Sequence, residues 1–143
     1  MGARRSGREA ALQMLFQIEA SEVTPDQAID LFWRTFDEAD PEGRAYADAL
    51  VRGVNEHMAT IDERIVAASK NWRLSRMSRV DRNLLRLGTY ELMFRPDVPR
   101  PVILDEAVEL AKSFGSEESP RFVNGVLDKI ASDVGRGAEA GEG

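Results

Sequence analysis

The sequence contains no cysteine, which removes both a disulfide framework and a thiolate metal site. It has a single histidine, His57, so neither a nucleophile–histidine–acid triad nor a histidine-rich metal site can be assembled, and the Glu-x-x-His spacing of di-iron bundles is missing. The expected role of His57 is that of a solvated residue near a helix C-terminus. No apolar run approaches the ~20 residues needed to cross a bilayer, and the N-terminus lacks the apolar stretch of a signal peptide, so a cytoplasmic location is expected. No alternating strand pattern is present, and without strands no phosphate-loop or dinucleotide signature has its required context. Adjacent acids such as Asp62 with Glu63, or Asp105 with Glu106, point about 100° apart on a helix and do not converge as an acid–base pair. The sequence therefore predicts a non-enzyme with no cofactor and no metal.

What is present is a chain of 143 residues, 43% apolar and 31% charged, long enough to bury a real core. Its formal net charge is −6, yet the first eight residues carry Arg4, Arg5 and Arg8 and no acid. Residues 64 to 100 hold nine Lys/Arg against three acids, a net of +6. Two basic regions on an acidic chain argue for a localised anionic partner. The opening arginines are either an arm that grips phosphates with planar forks of donors or a solvated terminus. A folded all-α domain is expected over 1–134. The Gly, Ala and Glu composition from 135 to 143 reads as a mobile acidic tail.

Helix starts are plainly written. Ser6 with Glu9, Thr24 with Gln27 and Thr60 with Glu63 match the capping box, in which two side chains satisfy each other's orphan backbone donors. Pro25, Pro41 and Pro120 follow Thr24, Asp40 and Ser119, placing proline at the first helical position after a cap. Ser78 caps a helix running to Phe94. The expected helices are 7–20, 25–37, 41–58, 61–71, 79–94, 102–114 and 120–132, a bundle of seven.

Helical geometry sorts the side chains. On the first helix Ala11, Leu12, Met14, Leu15 and Ile18 form the core stripe, with Phe16 at its edge. On the last, Val123, Val126, Leu127 and Ile130 form the stripe, with Phe122 at the margin. Each of these aromatics is either core or a half-exposed face able to stack on a base or a partner side chain. The 79–94 helix is apolar on most sides and should be central. Arg79, Arg82 and Arg86 make a narrow basic strip on it, whose simplest reading is a solvated edge. Asp81 is flanked by leucine. A carboxylate there is costly unless paired, so it meets either an internal arginine or a partner's cation.

The blocks Arg4-Arg5-Ser6-Gly7-Arg8-Glu9-Ala10-Ala11-Leu12-Gln13, Val80-Asp81-Arg82 with Leu85-Arg86 and Tyr90-Glu91-Leu92, Asp105-Glu106-Ala107 with Ala111-Lys112, and Phe122-Val123-Asn124-Gly125-Val126-Leu127 resemble the NusB family of bacterial transcription antitermination factors. They span Arg4 to about Ala131 in the family's order, and the closing block is the most specific. The resemblance implies an all-α, RNA-binding fold of two perpendicular three-helix groups with an extra helix. It implies binding to the boxA element of ribosomal RNA leaders jointly with a small-subunit ribosomal protein, NusE, in a complex that joins other Nus factors on RNA polymerase and suppresses premature termination. By position, Arg4, Arg5, Arg8, Phe16, Glu118, Arg121 and Phe122 would serve RNA, and Phe16, Asp81 and Arg82 would serve NusE. The family includes monomers and homodimers that mask the RNA surface. Two departures are the Ser6-Gly7 interruption, which leaves a short arm with few charges, and Phe16, a tyrosine in some relatives, which lacks the hydroxyl. Two rival readings are the RNA-binding accessory region of a ribosomal RNA methyltransferase and a helical adaptor that binds only protein.

Overall fold

The computed structural model describes residues 2–36, 40–70 and 72–136. Among these the regular elements are helices, in the order α1 (Ala3–Ser21), α2 (Pro25–Thr35), α3 (Pro41–Glu56), α4 (Met58–Ala68), a 3-10 turn (Leu74–Arg76), α5 (Arg79–Phe94), α6 (Arg100–Phe114) and α7 (Ser119–Asp133). The chain divides into two compact units, the first ending at Glu56 and the second beginning at His57. Among the described residues three α-helices build the first unit and four the second. No helix of the described residues is long and apolar enough to cross a membrane.

In the first unit α1 packs most extensively on α3, and α2 lies against both. The expected stripe is buried at Ala11, Leu12, Met14 and Leu15, as are Leu50 and Val51 of α3, while Ile18 is half-buried. The Thr24–Gln27 capping box is formed, with the Thr24 hydroxyl accepting from the Gln27 N–H at 3.1 Å and the Gln27 side-chain Oε1 accepting from the Thr24 N–H at 2.9 Å. Trp33 on α2 donates its indole N–H to Asp48 on α3 at 2.7 Å, tying those two helices by a polar bond at the edge of an apolar contact.

The Ser6–Glu9 box does not start α1. The helix begins one turn earlier, at Ala3, and the Ser6 N–H already donates to the Gly2 carbonyl at 3.1 Å. Ala3, Arg4 and Arg5 are strong helix formers, and a tertiary contact holds them there. A Cβ on Gly7 would lie 2.8 Å from the Gly43 carbonyl oxygen, and one on Gly43 would lie 2.9 Å from the Ala3 carbonyl oxygen. Bare backbone lets α1 and α3 close on each other, and that approach carries the first turn of α1 with it. The arginines are thus part of a docked helix and not a loose arm.

In the second unit α5 contacts α4, α6 and α7, as its apolar circumference predicts. Leu84, Leu85, Leu87 and Leu92 are buried, as are Val123, Val126, Leu127 and Ile130 of α7. Ser78 caps α5, its hydroxyl accepting from the Asp81 N–H at 3.1 Å. The Thr60–Glu63 box is not the start of α4, which begins at Met58, so Thr60 lies inside the helix. Nor does Ser119 cap α7: its hydroxyl turns back to accept from the Ser116 N–H at 2.9 Å and is buried, and Glu118 occupies the cap position. His57 is half-buried, with its ring stacked on Phe94 at 4.1 Å between centroids, in place of the solvated role expected of it.

The C-terminal end of α7 departs most from expectation. Gly135, with φ of +83°, is the left-handed residue of a Schellman motif, since the Gly135 N–H donates to the Ser132 carbonyl at 3.2 Å and the Arg136 N–H to the Ala131 carbonyl at 2.6 Å. The turn aims Arg136 at the end of α5, where its guanidinium donates to the carbonyls of Glu91, Leu92, Arg95 and Val98 at 2.6–3.4 Å. Ordered contacts therefore continue two residues beyond the expected domain boundary at 134. The remainder of the expected tail, 137–143, lies outside the described residues.

Candidate functional site

Each unit contributes candidate residues, and each is described by itself. In the first unit Arg4 and Arg5 are exposed on the opening turn of α1. Arg8 is different. It is only 5% exposed, donates to the Tyr46 hydroxyl at 3.3 Å, and holds its guanidinium carbon 5.4 Å from the centre of that ring. Arg4 lies over the same ring at 4.9 Å. The structure therefore separates three arginines that look equivalent in sequence: two are presented to solvent, one is packed against Tyr46. Phe16 is 39% exposed, so of the two alternatives open for it the half-exposed one holds.

In the second unit the loop before α5, the first turn of α5 and the start of α7 surround a cavity of about 710 Å³. Asp81, Glu118, Arg121 and Phe122 all line it, so the first turn of α5 and the 118–122 stretch, remote in sequence, meet in one place. Phe122 is half-buried, its ring edge-on to Trp72 at 6.0 Å. Asp81 is held by α5 near the cavity wall. Its Oδ1 is buried and has no hydrogen-bond partner among the described residues, so the internal arginine is not supplied to that atom. A lone acceptor of this kind is costly to bury.

Of the basic strip on α5, Arg79 is exposed, while Arg82 and Arg86 are engaged internally. Arg82 donates to the Leu74 carbonyl at 2.9 Å and the Met77 carbonyl at 2.8 Å, which closes the loop preceding α5. Arg86 makes a bidentate pair with Asp62 of α4 at 2.9 and 3.0 Å. These two are braces and not a solvated edge. Arg82 does not line the cavity; it shapes the Leu74–Met77 segment that does, through Arg76 and Met77.

Trp72 and Arg76 also line the cavity and were missed from sequence. Trp72 is 54% exposed, the most exposed position a tryptophan takes in this chain, since Trp33 is buried. It falls between helices, where no periodicity assigns it a face. A large aromatic among Lys70, Arg73 and Arg76 outside any helix was the available signal.

Among the described residues, helices in two units, with arginines opening the first and an aromatic, carboxylate-bearing cavity in the second, define an all-α fold. The family model described as the NusB family matches residues 5–132, and the chain belongs to that family. It is 65% identical over 136 residues to the transcription antitermination protein NusB of Sorangium cellulosum strain So ce56, with 95% of this chain and 96% of that protein covered. To the transcription antitermination protein NusB of Myxococcus xanthus strain DK1622 it is 53% identical over 134 residues, covering 92% of this chain and 96% of that one. Among solved structures it is similar to T. maritima NusB, with a TM-score of 0.82 at 39% identity over 93% of this chain and 92% of that one. It is also similar to a chain of the crystal structure of antitermination factors NusB and NusE in complex with dsRNA, with a TM-score of 0.84 at 28% identity over 93% and 98% of the two chains.

Proposed function

We propose that this protein is a transcription antitermination factor that binds the boxA RNA of ribosomal RNA leaders together with ribosomal protein NusE, and so suppresses premature termination by RNA polymerase in the cytoplasm. The work is binding and not catalysis. The observation that carries the reading is the buried, unpartnered Asp81 Oδ1 in a cavity it shares with Glu118, Arg121 and Phe122. An acceptor without a donor beside groups suited to nucleic acid fits a site completed by both a protein cation and RNA. The solved complex of a similar NusB with NusE and RNA supports the same pair of partners.

The roles divide by chemistry. Arg4 and Arg5 neutralise phosphates and release counterions, a sequence-independent contribution that falls with salt. Arg121 adds a cation near the cavity. Phe122 and Phe16 offer partly exposed rings, and stacking one base on an aromatic is worth about 1–3 kcal/mol. Glu118 cannot take phosphate; its carboxylate accepts from a base amino group, which gives selectivity. In the second unit Asp81 takes a cationic side chain of NusE, and Arg82 acts there through the loop it closes; Phe16 in the first unit offers NusE a separate apolar contact.

A mobility-shift titration with boxA RNA, with and without NusE, tests this reading. The expected result is a shift that sharpens when NusE is added and weakens with salt. No shift in either arm at low salt refutes RNA binding and leaves a helical adaptor that binds only protein.

A further inference from the structure

Three arginines open α1, but they are not three equal ligands. Arg4 and Arg8 stand one turn apart on the same face of α1, and both converge on Tyr46 of α3, at 4.9 and 5.4 Å from its ring centre. Arg8 is buried and donates to the Tyr46 hydroxyl, whereas Arg4 is exposed. Tyr46 is itself buried, only 7% exposed, and its Cβ lies where Gly7 admits it. Arg8 therefore holds the ring through its hydroxyl, while Arg4 lies over the ring from the exposed opening turn of α1. A guanidinium parallel or inclined to such a face is attracted by the ring quadrupole while its donors still reach outward.

We infer that Tyr46 is a positioning residue for RNA binding: it holds Arg4 in the orientation that meets a phosphate, and Arg8 braces Tyr46 instead of touching RNA. The direct phosphate ligands of α1 are then Arg4 and Arg5. The inference rests on the RNA-binding reading above and deepens it. An arginine that is 95% out of solvent has no route to a backbone phosphate without unpacking the α1–α3 contact. An exposed arginine with no support spreads over many rotamers, and ordering it on binding costs affinity. The tyrosine removes part of that cost in advance.

The test is the slope of log affinity against log salt for single-stranded boxA RNA in the presence of NusE, which counts phosphates neutralised at about 0.7 per contact. Arg4→Ala is expected to flatten the slope by about 0.7. Tyr46→Leu should flatten it by the same amount, and adding Arg4→Ala to Tyr46→Leu should change it no further. Tyr46→Phe, which keeps the ring, should leave the slope unaltered. Arg8→Gln, which keeps a donor for the tyrosine hydroxyl but removes the charge, should also leave it unaltered. If Arg4→Ala flattens the slope as fully in the Tyr46→Leu background as alone, or if Arg8→Gln flattens it as Arg4→Ala does, the positioning role is wrong while RNA binding stands. Should Tyr46→Leu lose its helical circular dichroism, the Arg8→Gln slope alone decides. A wild-type protein that binds no RNA overturns both readings together.

Discussion

Replacing Arg136 with alanine should destabilise a protein whose sequence places that residue in a tail. The side chain supplies donors to four carbonyls, at 3.3 Å to Glu91, 3.2 Å to Leu92, 3.4 Å to Arg95 and 2.6 Å to Val98. Two of these acceptors belong to the last turn of α5, where a cation is favoured by the helix dipole; the Glu91 carbonyl already accepts from the Arg95 N–H at 3.0 Å, and the Arg95 carbonyl from the Val98 N–H at 3.0 Å. A hydrogen bond to a charged group contributes about 1.5–3 kcal/mol, and only the bonds to Leu92 and Val98 are short enough to count fully. Set against these is about 2 kcal/mol of rotamer entropy for fixing an arginine. A net loss of about 2 kcal/mol is expected. For a chain of 143 residues this lowers Tm by about 6–8 °C, at roughly 3–4 °C per kcal/mol. Thermal unfolding followed by circular dichroism at 222 nm reads the shift directly. Arg136→Lys, with one compact head in place of the fork, should recover less than half of the loss. A Tm within 1–2 °C of wild type for the alanine variant would show that the four carbonyls are satisfied equally well by water, and the clamp would have no energetic content.

Gly135→Ala forces a left-handed residue to carry a Cβ and should cost about 1–2 kcal/mol, read as a reduced midpoint in urea with an unchanged m-value; an unaltered midpoint would remove the Schellman turn as a constraint. Asp81→Asn removes the charge of a half-buried carboxylate whose Oδ1 lacks a hydrogen bond, so the isolated protein should be as stable as wild type or more so, while NusE affinity falls roughly 30-fold or more by calorimetry, in line with the ~2–5 kcal/mol lost when one partner of a buried charged pair is truncated. Retained affinity would take Asp81 out of the interface. Arg86→Ala should lower stability by about 1.5–3 kcal/mol through loss of the bidentate Asp62 pair, with no change in the salt dependence of RNA binding. A flattened salt slope in that variant would return Arg86 to the list of RNA ligands.

Where a pattern was complete within a few residues, the sequence was legible. The α5 boundaries, Ser78 as its cap, and the Thr24–Gln27 box all follow from side chains competing for backbone groups within one turn. The Ser6–Glu9 pattern has the same form, yet α1 overruns it because Gly7 lets Gly43, thirty-six positions away, approach and dock the preceding turn. Charge was legible as charge but not as use. Arg8 is consumed by Tyr46 and Arg86 by Asp62, partners 38 and 24 residues distant, and no local property of an arginine tells whether such a partner exists. Asp81 and the two edge aromatics were found because helical periodicity left them without an assigned place. Trp72 belongs with Phe122 at the same cavity but lies in irregular chain, where periodicity has nothing to say. Gly135 was readable as a helix terminator and was instead taken with its neighbours as composition.

The docked start of α1 has an electrostatic consequence of its own. Its first turn holds Arg4 and Arg5 and no acid, and no side chain caps it. Unpaired N–H groups make this end of a helix the positive pole of its dipole, so each cation placed there opposes the helix by about 0.3–1 kcal/mol. The packing of Gly7 on Gly43 keeps the turn wound despite that opposition. On the RNA-binding reading, a polyanion arriving at this end relieves the opposition between these cations and the helix dipole, so stability of the free protein and affinity for RNA are set against each other at this one turn. Exchanging Arg4 for glutamate should make the isolated helix start more stable and the protein a poorer partner for RNA.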